Sequence, residues 1–196
     1  FATGFMFNDN GKMFVHTLDD ENVKNTFVWN NGSARTNYKI VDKRAMMTEI
    51  NDKGENVSQE KQAELVSLVG ELSKSASVAV MSGSLPGGVG DDYYLKLISA
   101  VPKTTKIILD TSGNKMIAGL RGGAYLIKPN LDELQEMTGE HYDSFDEMIT
   151  GCERLIEAGA ENVMLSLGRK GAILTDGDKA YFCKSATVAV NSTVGA

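Results

Sequence analysis

With 196 residues, 42% hydrophobic and 23% charged, the chain has the composition of an ordinary globular protein, enough for one domain with an appendage. The net charge of −6, a pI near 5.0, and no Lys/Arg run longer than Lys43-Arg44 argue against a nucleic-acid or anionic-membrane surface. No apolar run reaches transmembrane length, no signal peptide is visible, and Cys152 and Cys183 lack paired spacing, so a cytoplasmic protein with free, buried thiols is expected.

Residues 11–24 predict a helix, with Met13, Val15 and Leu18 as its packed positions. A β-rich stretch follows. "TFVWN", a turn at Asn31-Gly32, "ARTNYKIVD", a charged bend and "MMTEIN" read as strands, and Asn-Gly between alternating residues is a hairpin signal. In "ARTNYKIVD", Arg35, Asn37 and Lys39 alternate with Thr36, Tyr38 and Ile40, as in a sheet with one face open. Residues 26–54 are therefore expected to form a small β-sheet lid, separate from a core made of residues 1–25 and 55–196.

After Ser58 the periodicity changes. Leu65, Leu68, Val69 and Leu72 fall at helical spacing behind Glu60. "VAVM", "KIIL", "AYLI" and "NVML" then alternate with helical patterns, which predicts βαβ units and a mostly parallel sheet. "GAILTDGDKAYFCKS" reads as a hairpin turning at Asp176-Gly177.

Each strand runs into small or polar residues: Ser82-Gly83-Ser84, Asp110-Thr111-Ser112-Gly113, Lys128-Pro129-Asn130, Ser166-Leu167-Gly168 with Gly171, and Asn191-Ser192-Thr193. Right-handed crossovers put every such carboxyl end on one rim, where ligands of parallel sheets bind. Glycines let backbone N–H groups approach a ligand, and helix N-termini favour anions. Taken singly, these loops are ordinary turn chemistry. Asp110 reads equally as a helix cap or a ligand contact, and Arg35 and Lys39 as solvated strand residues. Asp91-Asp92 read as helix-start acids, and His16 and His141 as isolated surface or helix residues. HExxH, CxxC and Walker A motifs are absent.

In this order, "SGSLPGGV", "IILDTSG", "YLIKPNLDEL", "SLGRKGA" and "NSTVGA" resemble the PfkB/ribokinase family of sugar kinases, nearest its sugar-phosphate branch. "ARTNYKIVD" and "TEIN" resemble that branch's lid. The resemblance implies a three-layer α/β/α ribokinase-like core, and a lid that often serves as a homodimer interface. It implies transfer of the ATP γ-phosphoryl group to a sugar-phosphate hydroxyl with Mg²⁺, most directly fructose 1-phosphate. The alternatives are tagatose 6-phosphate or fructose 6-phosphate as acceptor. By similarity, Arg35, Ser84, Asn37 and Lys39 would hold the sugar phosphate. Lys128, Asn130, Ser166, Gly168, Gly171 and Thr193 would face ATP, and Asn130 with Glu133 the metal.

The pattern departs from the family at both ends. The N-terminal strand and Gly-Gly-Lys-Gly loop are missing, and "MFNDNG" stands where a more Gly-rich segment is usual. Val194, Gly195 and Ala196 would begin the backbone anion hole, and the catalytic Asp is expected just after Ala196. An internal segment of a kinase is thus expected. A non-catalytic sugar- or nucleotide-sensing domain on the same fold is the rival from another class. A Rossmann-like oxidoreductase would need GxGxxG after a first strand, which is not present.

Overall fold

The computed structural model describes residues 1–42 and 46–186. Those residues fall into two compact units, 1–67 with 86–89, and 68–85 with 90–186.

In the first unit, β1 (Phe5–Phe7) and β2 (Val28–Asn30) pair in parallel across the helix α1 (Gly11–Asp20), with Met6 opposite Trp29. Met6, Phe7 and Val28 are buried. The expected Asn31-Gly32 hairpin is therefore not formed: "TFVWN" goes to β1. The hairpin signal loses to burial of Val28 and to the loop after β1. There Asp9 N–H donates to Gly32 O at 3.1 Å, and Asn10 exchanges two hydrogen bonds with the Ala34 backbone at 2.8 and 3.0 Å. The helix also ends at Asp20, four residues early, and Met13 faces out at 65% exposure, while Val15 and Leu18 are half-buried.

A separate ribbon follows, β3 (Asn37–Val41) antiparallel to β4 (Met47–Asn51), in the region expected for the lid. All ten residues are exposed. Tyr38 pairs with Ile50 and Ile40 with Thr48, so one face is apolar, whereas Lys39 pairs with Glu49 on the other.

The helix α2 (Gln59–Ser73) carries the chain into the second unit, with Leu65 buried and Leu68, Val69 and Leu72 half-buried along its expected stripe. There β5 (Val78–Ser82), α3 (Tyr93–Ala100), β6 (Lys106–Asp110), α4 (Asn114–Leu120), β7 (Leu126–Ile127), α5 (Leu131–Thr138), α6 (Phe145–Glu157) and β8 (Val163–Ser166) alternate. The hairpin β9 (Ala172–Thr175) and β10 (Ala180–Cys183) closes the unit. Strand order is β10-β9-β8-β7-β6-β5; β5 to β8 are mutually parallel, and β9 runs antiparallel to β8. This is the mostly parallel α/β sheet that the alternation predicts.

Because β5 to β8 are adjacent in chain order, each right-handed crossover sets its helix on the same face. Burial follows that rule. Ile107, Leu109, Ile127, Val163, Leu165 and Ile173 share the covered face and are buried. Each large aliphatic chain removed from water there contributes about 1.5–3 kcal/mol. The other face carries Val78 and Val80, 47% and 65% exposed, with Leu174 and Tyr181 also open. Cys152 lies buried in α6, where desolvation pushes its thiol up to about 12, as expected of an inert core cysteine. Cys183 departs from expectation. It is exposed, because β10 is the sheet's last strand and none of its residues is covered.

Helix α6 starts with a complete capping box: Ser144 Oγ accepts from Glu147 N–H at 3.3 Å, and Glu147 Oε2 accepts from Ser144 N–H at 3.0 Å and Asp143 N–H at 2.8 Å. Those backbone donors, Asp143 first, hold the Glu147 carboxyl below its ordinary value of 4.5. A depressed carboxylate stabilises the fold above the unfolded pKa and loses that contribution as pH falls through the folded one. Ser144→Ala is expected to cost about 1 kcal/mol, read from the urea midpoint at pH 7. Glu147→Gln should lower stability at pH 7, and its deficit should shrink as pH falls below about 4.5. A deficit that stays constant from pH 7 to 3 would refute the carboxylate's role.

Candidate functional site

The second unit brings a run of polar strand ends onto one rim. β5 and β6 finish in register at Ser82 and Asp110, and Gly83 N–H donates to Asp110 O at 3.2 Å. Ser84 follows, exposed. β7 runs through Lys128 and Pro129 to Asn130, which bridges to Ser166 at the end of β8. Ser166 N–H donates to Pro129 O at 2.9 Å, fixing those two strand ends side by side. After β8 a single 3₁₀ turn, Gly168–Lys170, is closed by Leu167 N–H donating to Gly171 O at 2.8 Å. Lys128, Asn130, Glu133, Ser166, Gly168 and Gly171 thus stand along contiguous strand ends, with Ser84 in the loop that follows the outermost parallel strand, β5.

Lys128 Nζ lies 3.4 Å from Asp110 Oδ1, with both side chains 41% exposed. Such a half-exposed pair contributes at most about 1 kcal/mol, so an incoming polyanion can take the ammonium. Asp110 is the last residue of β6, and the N-cap of α4 is Gly113; the helix-cap reading of Asp110 is therefore wrong. The cap offered no contact worth keeping, whereas the neighbouring strand offered a cation.

Asn130 and Glu133 form a second capping box, at α5. Asn130 Oδ1 accepts from Glu133 N–H at 2.8 Å, and Glu133 Oε2 accepts from Asn130 N–H at 2.9 Å. One carboxylate oxygen, Oε1, lies outside the box. No group of three or more His, Cys, Asp or Glu that could hold a metal ion occurs among the described residues. One carboxylate and an amide oxygen still fit Mg²⁺, which keeps most of its waters and takes other ligands from substrate phosphates.

The remaining expected residues lie in the first unit or outside the described residues. Arg35 precedes β3 and is exposed. Asp52 orders its turn by accepting from Gly54 N–H at 3.1 Å and Thr36 N–H at 3.5 Å. These donors, and then the Arg35 charge, hold the Asp52 carboxyl below its usual range. Lys39 makes a 3.3 Å ion pair with Glu49, and Asn37 stands opposite Asn51 on the same face. Thr193, Val194, Gly195 and Ala196 lie outside the described residues. Two contacts near the expected residues had no sequence signal: Tyr94 Oη donates to Gly83 O at 2.8 Å, and Asp52 orders the turn beside Arg35. Tyr94 sits in a plain helical pattern, and Asp52 is one acid among many near a glycine.

Similarity to characterised proteins runs the length of the chain. The family described as pfkB family carbohydrate kinase matches residues 2–196. The 1-phosphofructokinase of Borreliella burgdorferi is 32% identical over 197 residues, covering 100% of this chain and 63% of that protein. The 1-phosphofructokinase of Bacillus subtilis is 30% identical over 196 residues, covering 100% of this chain and 64% of that one. The chain thus spans less than two thirds of the relatives' length. Phosphofructokinase-2 from Escherichia coli, solved with fructose-6-phosphate, superimposes with a TM-score of 0.87 at 28% identity, over 99% of this chain and 65% of that one. Its tetrameric inhibited form gives the same score, at the same identity and coverage. The chain adopts the ribokinase-like α/β fold of these phosphofructokinases, and it belongs to the pfkB family of carbohydrate kinases.

Proposed function

We propose that this protein is a sugar-phosphate kinase that moves the γ-phosphoryl group of ATP onto a hydroxyl of fructose 1-phosphate, giving fructose 1,6-bisphosphate. The observation that carries the reading is the rim itself: a weakly held cation, Lys128, beside the capped N-terminus of α5 and the Ser166–Gly171 turn. The names of the Borreliella and Bacillus relatives favour the 1-phosphate. The fructose-6-phosphate bound to the Escherichia coli neighbour supports a second reading, fructose 6-phosphate as acceptor.

In this reading, residues position charge more than they make bonds. The acceptor oxygen bonds to the γ-phosphorus as the bond to ADP breaks, and the hydroxyl proton passes to a general base. Lys128 leaves Asp110 for the ATP phosphates. The α5 N-terminus and the small Ser166, Gly168 and Gly171 let backbone groups approach the nucleotide, and Thr193 would serve the same ligand. Asn130 and the outer oxygen of Glu133 would hold Mg²⁺, which spreads the developing phosphate charge. Val194, Gly195 and Ala196 would supply backbone N–H groups to the transferred group. Arg35, with Asn37, Lys39 and Ser84, holds the acceptor. Arg35 carries the acceptor's existing phosphate, since Lys39 is already engaged by Glu49. Within the stretch expected as lid, residues 26–54, the ribbon β3–β4 acts as the lid, whereas β2 pairs with β1 and belongs with it.

The native full-length protein should turn over fructose 1-phosphate with the highest kcat/KM in a panel that includes fructose 6-phosphate and tagatose 6-phosphate. Turnover of none would reject the kinase reading, and a higher value with fructose 6-phosphate would select the second one. Arg35→Ala should raise the sugar-phosphate KM by roughly 30- to 900-fold, the equivalent of about 2–4 kcal/mol for a charge-assisted phosphate contact. The ATP KM should stay within about twofold. Equal changes in both would remove Arg35 from the acceptor site.

The ribbon's apolar face, Tyr38, Ile40 and Ile50 at 59%, 54% and 55% exposure, is the proposed homodimer contact. A two-stranded ribbon is marginal alone, and contiguous exposed apolar side chains mark interaction surfaces. Sedimentation should show a dimer for the native protein and a monomer for the Tyr38→Glu/Ile50→Lys variant. A dimer that survives both charges would place the contact elsewhere.

A further inference from the structure

We infer that Tyr94 and Thr111 form a hydroxyl clamp on the Gly83 carbonyl that fixes how Ser84 meets the acceptor substrate; this rests on the function proposed above. Tyr94 Oη donates to Gly83 O at 2.8 Å from α3, and Thr111 Oγ1 donates to the same oxygen at 3.1 Å from the residue after β6. Both clamp residues are buried, at 4% and 9% exposure, whereas Gly83 and Ser84 are exposed.

A carbonyl oxygen offers two lone pairs, and the two hydroxyls use both. The N–H of the same residue donates to Asp110 O at 3.2 Å. Both backbone polar groups of Gly83 are therefore held, and its φ of +102° is one that a side chain rarely allows. No cis peptide occurs among the described residues, and in a trans peptide the N–H points opposite to the C=O. With the Gly83 oxygen drawn toward the buried hydroxyls, the Ser84 N–H aims away from them. Ser84 then offers its backbone N–H and its hydroxyl together as donors to an anionic or hydroxyl-rich ligand.

The polarity of the clamp is itself informative. Phe and Val would fill the same space as Tyr94 and Thr111 without burying hydroxyls. Buried hydroxyls that serve one exposed glycine are what a pre-set binding loop requires, and burial, opposed by the neighbouring Thr111 hydroxyl and aided by the Asp110 charge, holds the Tyr94 hydroxyl above its ordinary value. Tyr94 and Thr111 are positioning residues that act through Ser84.

The test measures both Michaelis constants and the melting temperature of Tyr94→Phe, Thr111→Val and Thr111→Ser in the native full-length protein. Loss of either hydroxyl should raise the sugar-phosphate KM by about 3- to 15-fold and leave the ATP KM within about twofold. Thr111→Ser, which keeps the donor, should restore the wild-type value. If Thr111→Val does not fold, Tyr94→Phe carries the same test, because its ring packing is retained. Equal changes in both KM values, or a lowered melting temperature with neither KM changed, would overturn the clamp while wild-type turnover stays intact. A wild-type protein that phosphorylates no sugar phosphate would instead overturn the proposed function, and this inference with it.

Discussion

Handedness is the constraint on which the second unit depends. Four parallel strands in consecutive spatial order, joined by right-handed crossovers, must place their helices on one face and their carboxyl ends on one rim. The covered face is accordingly close-packed around Leu109, Ile127, Val163 and Leu165, each at 0% exposure. The same geometry leaves Val78 and Val80 bare on the opposite face, a state that parallel sheets ordinarily avoid by carrying helices on both sides. A three-layer core therefore needs a second helical layer that α3 to α6 cannot supply.

On the rim, side chains proposed for chemistry already have structural roles. Asn130 and Glu133 cap α5 reciprocally, which satisfies two orphan N–H groups and fixes both side chains in the first turn. A carboxylate fixed by its own helix loses little further freedom when it meets a ligand. The Asn130–Glu133 spacing is thus a helix-start signal, and the same geometry would serve the proposed metal contact. α6 starts with a box of the same form, from Ser144 and Glu147, so the motif by itself marks where a helix begins and not a metal site.

What was legible in the sequence follows from the range of each signal. The alternation after Ser58 and the apolar runs at Val78, Lys106, Tyr125 and Val163 specified the parallel sheet, because burial on that face depends only on local composition. The order of polar loops gave the rim for the same reason. Asn31-Gly32 misled, since a hairpin needs its two strands to prefer each other, and Val28 preferred β1 through contacts with residues some twenty positions earlier. Met13 misled because a short helix with a weak pattern does not fix which face is packed. The link from Lys128 to Asp110 was invisible because it joins two different strand ends that meet only once the sheet is formed. The Tyr94–Gly83 bond was invisible because it closes the long β5–α3 connection on itself through a side chain that no turn signal marks.

Exposure separates the groups that hold the site from the groups that would work in it. Tyr94 and Thr111 are buried, and the 2.8 and 3.1 Å bonds they make cannot be exchanged for water without exposing the core. Lys128 and Asp110 are 41% exposed and 3.4 Å apart, a contact cheap to break. A deeply buried Lys128–Asp110 pair would hold its cation too firmly to release it to an incoming phosphate, and an unpaired Lys128 would have no fixed resting place on the rim. In the proposed reading a half-solvated pair on rigid strand ends meets both demands, the acid keeping the lysine in position until a stronger anion arrives.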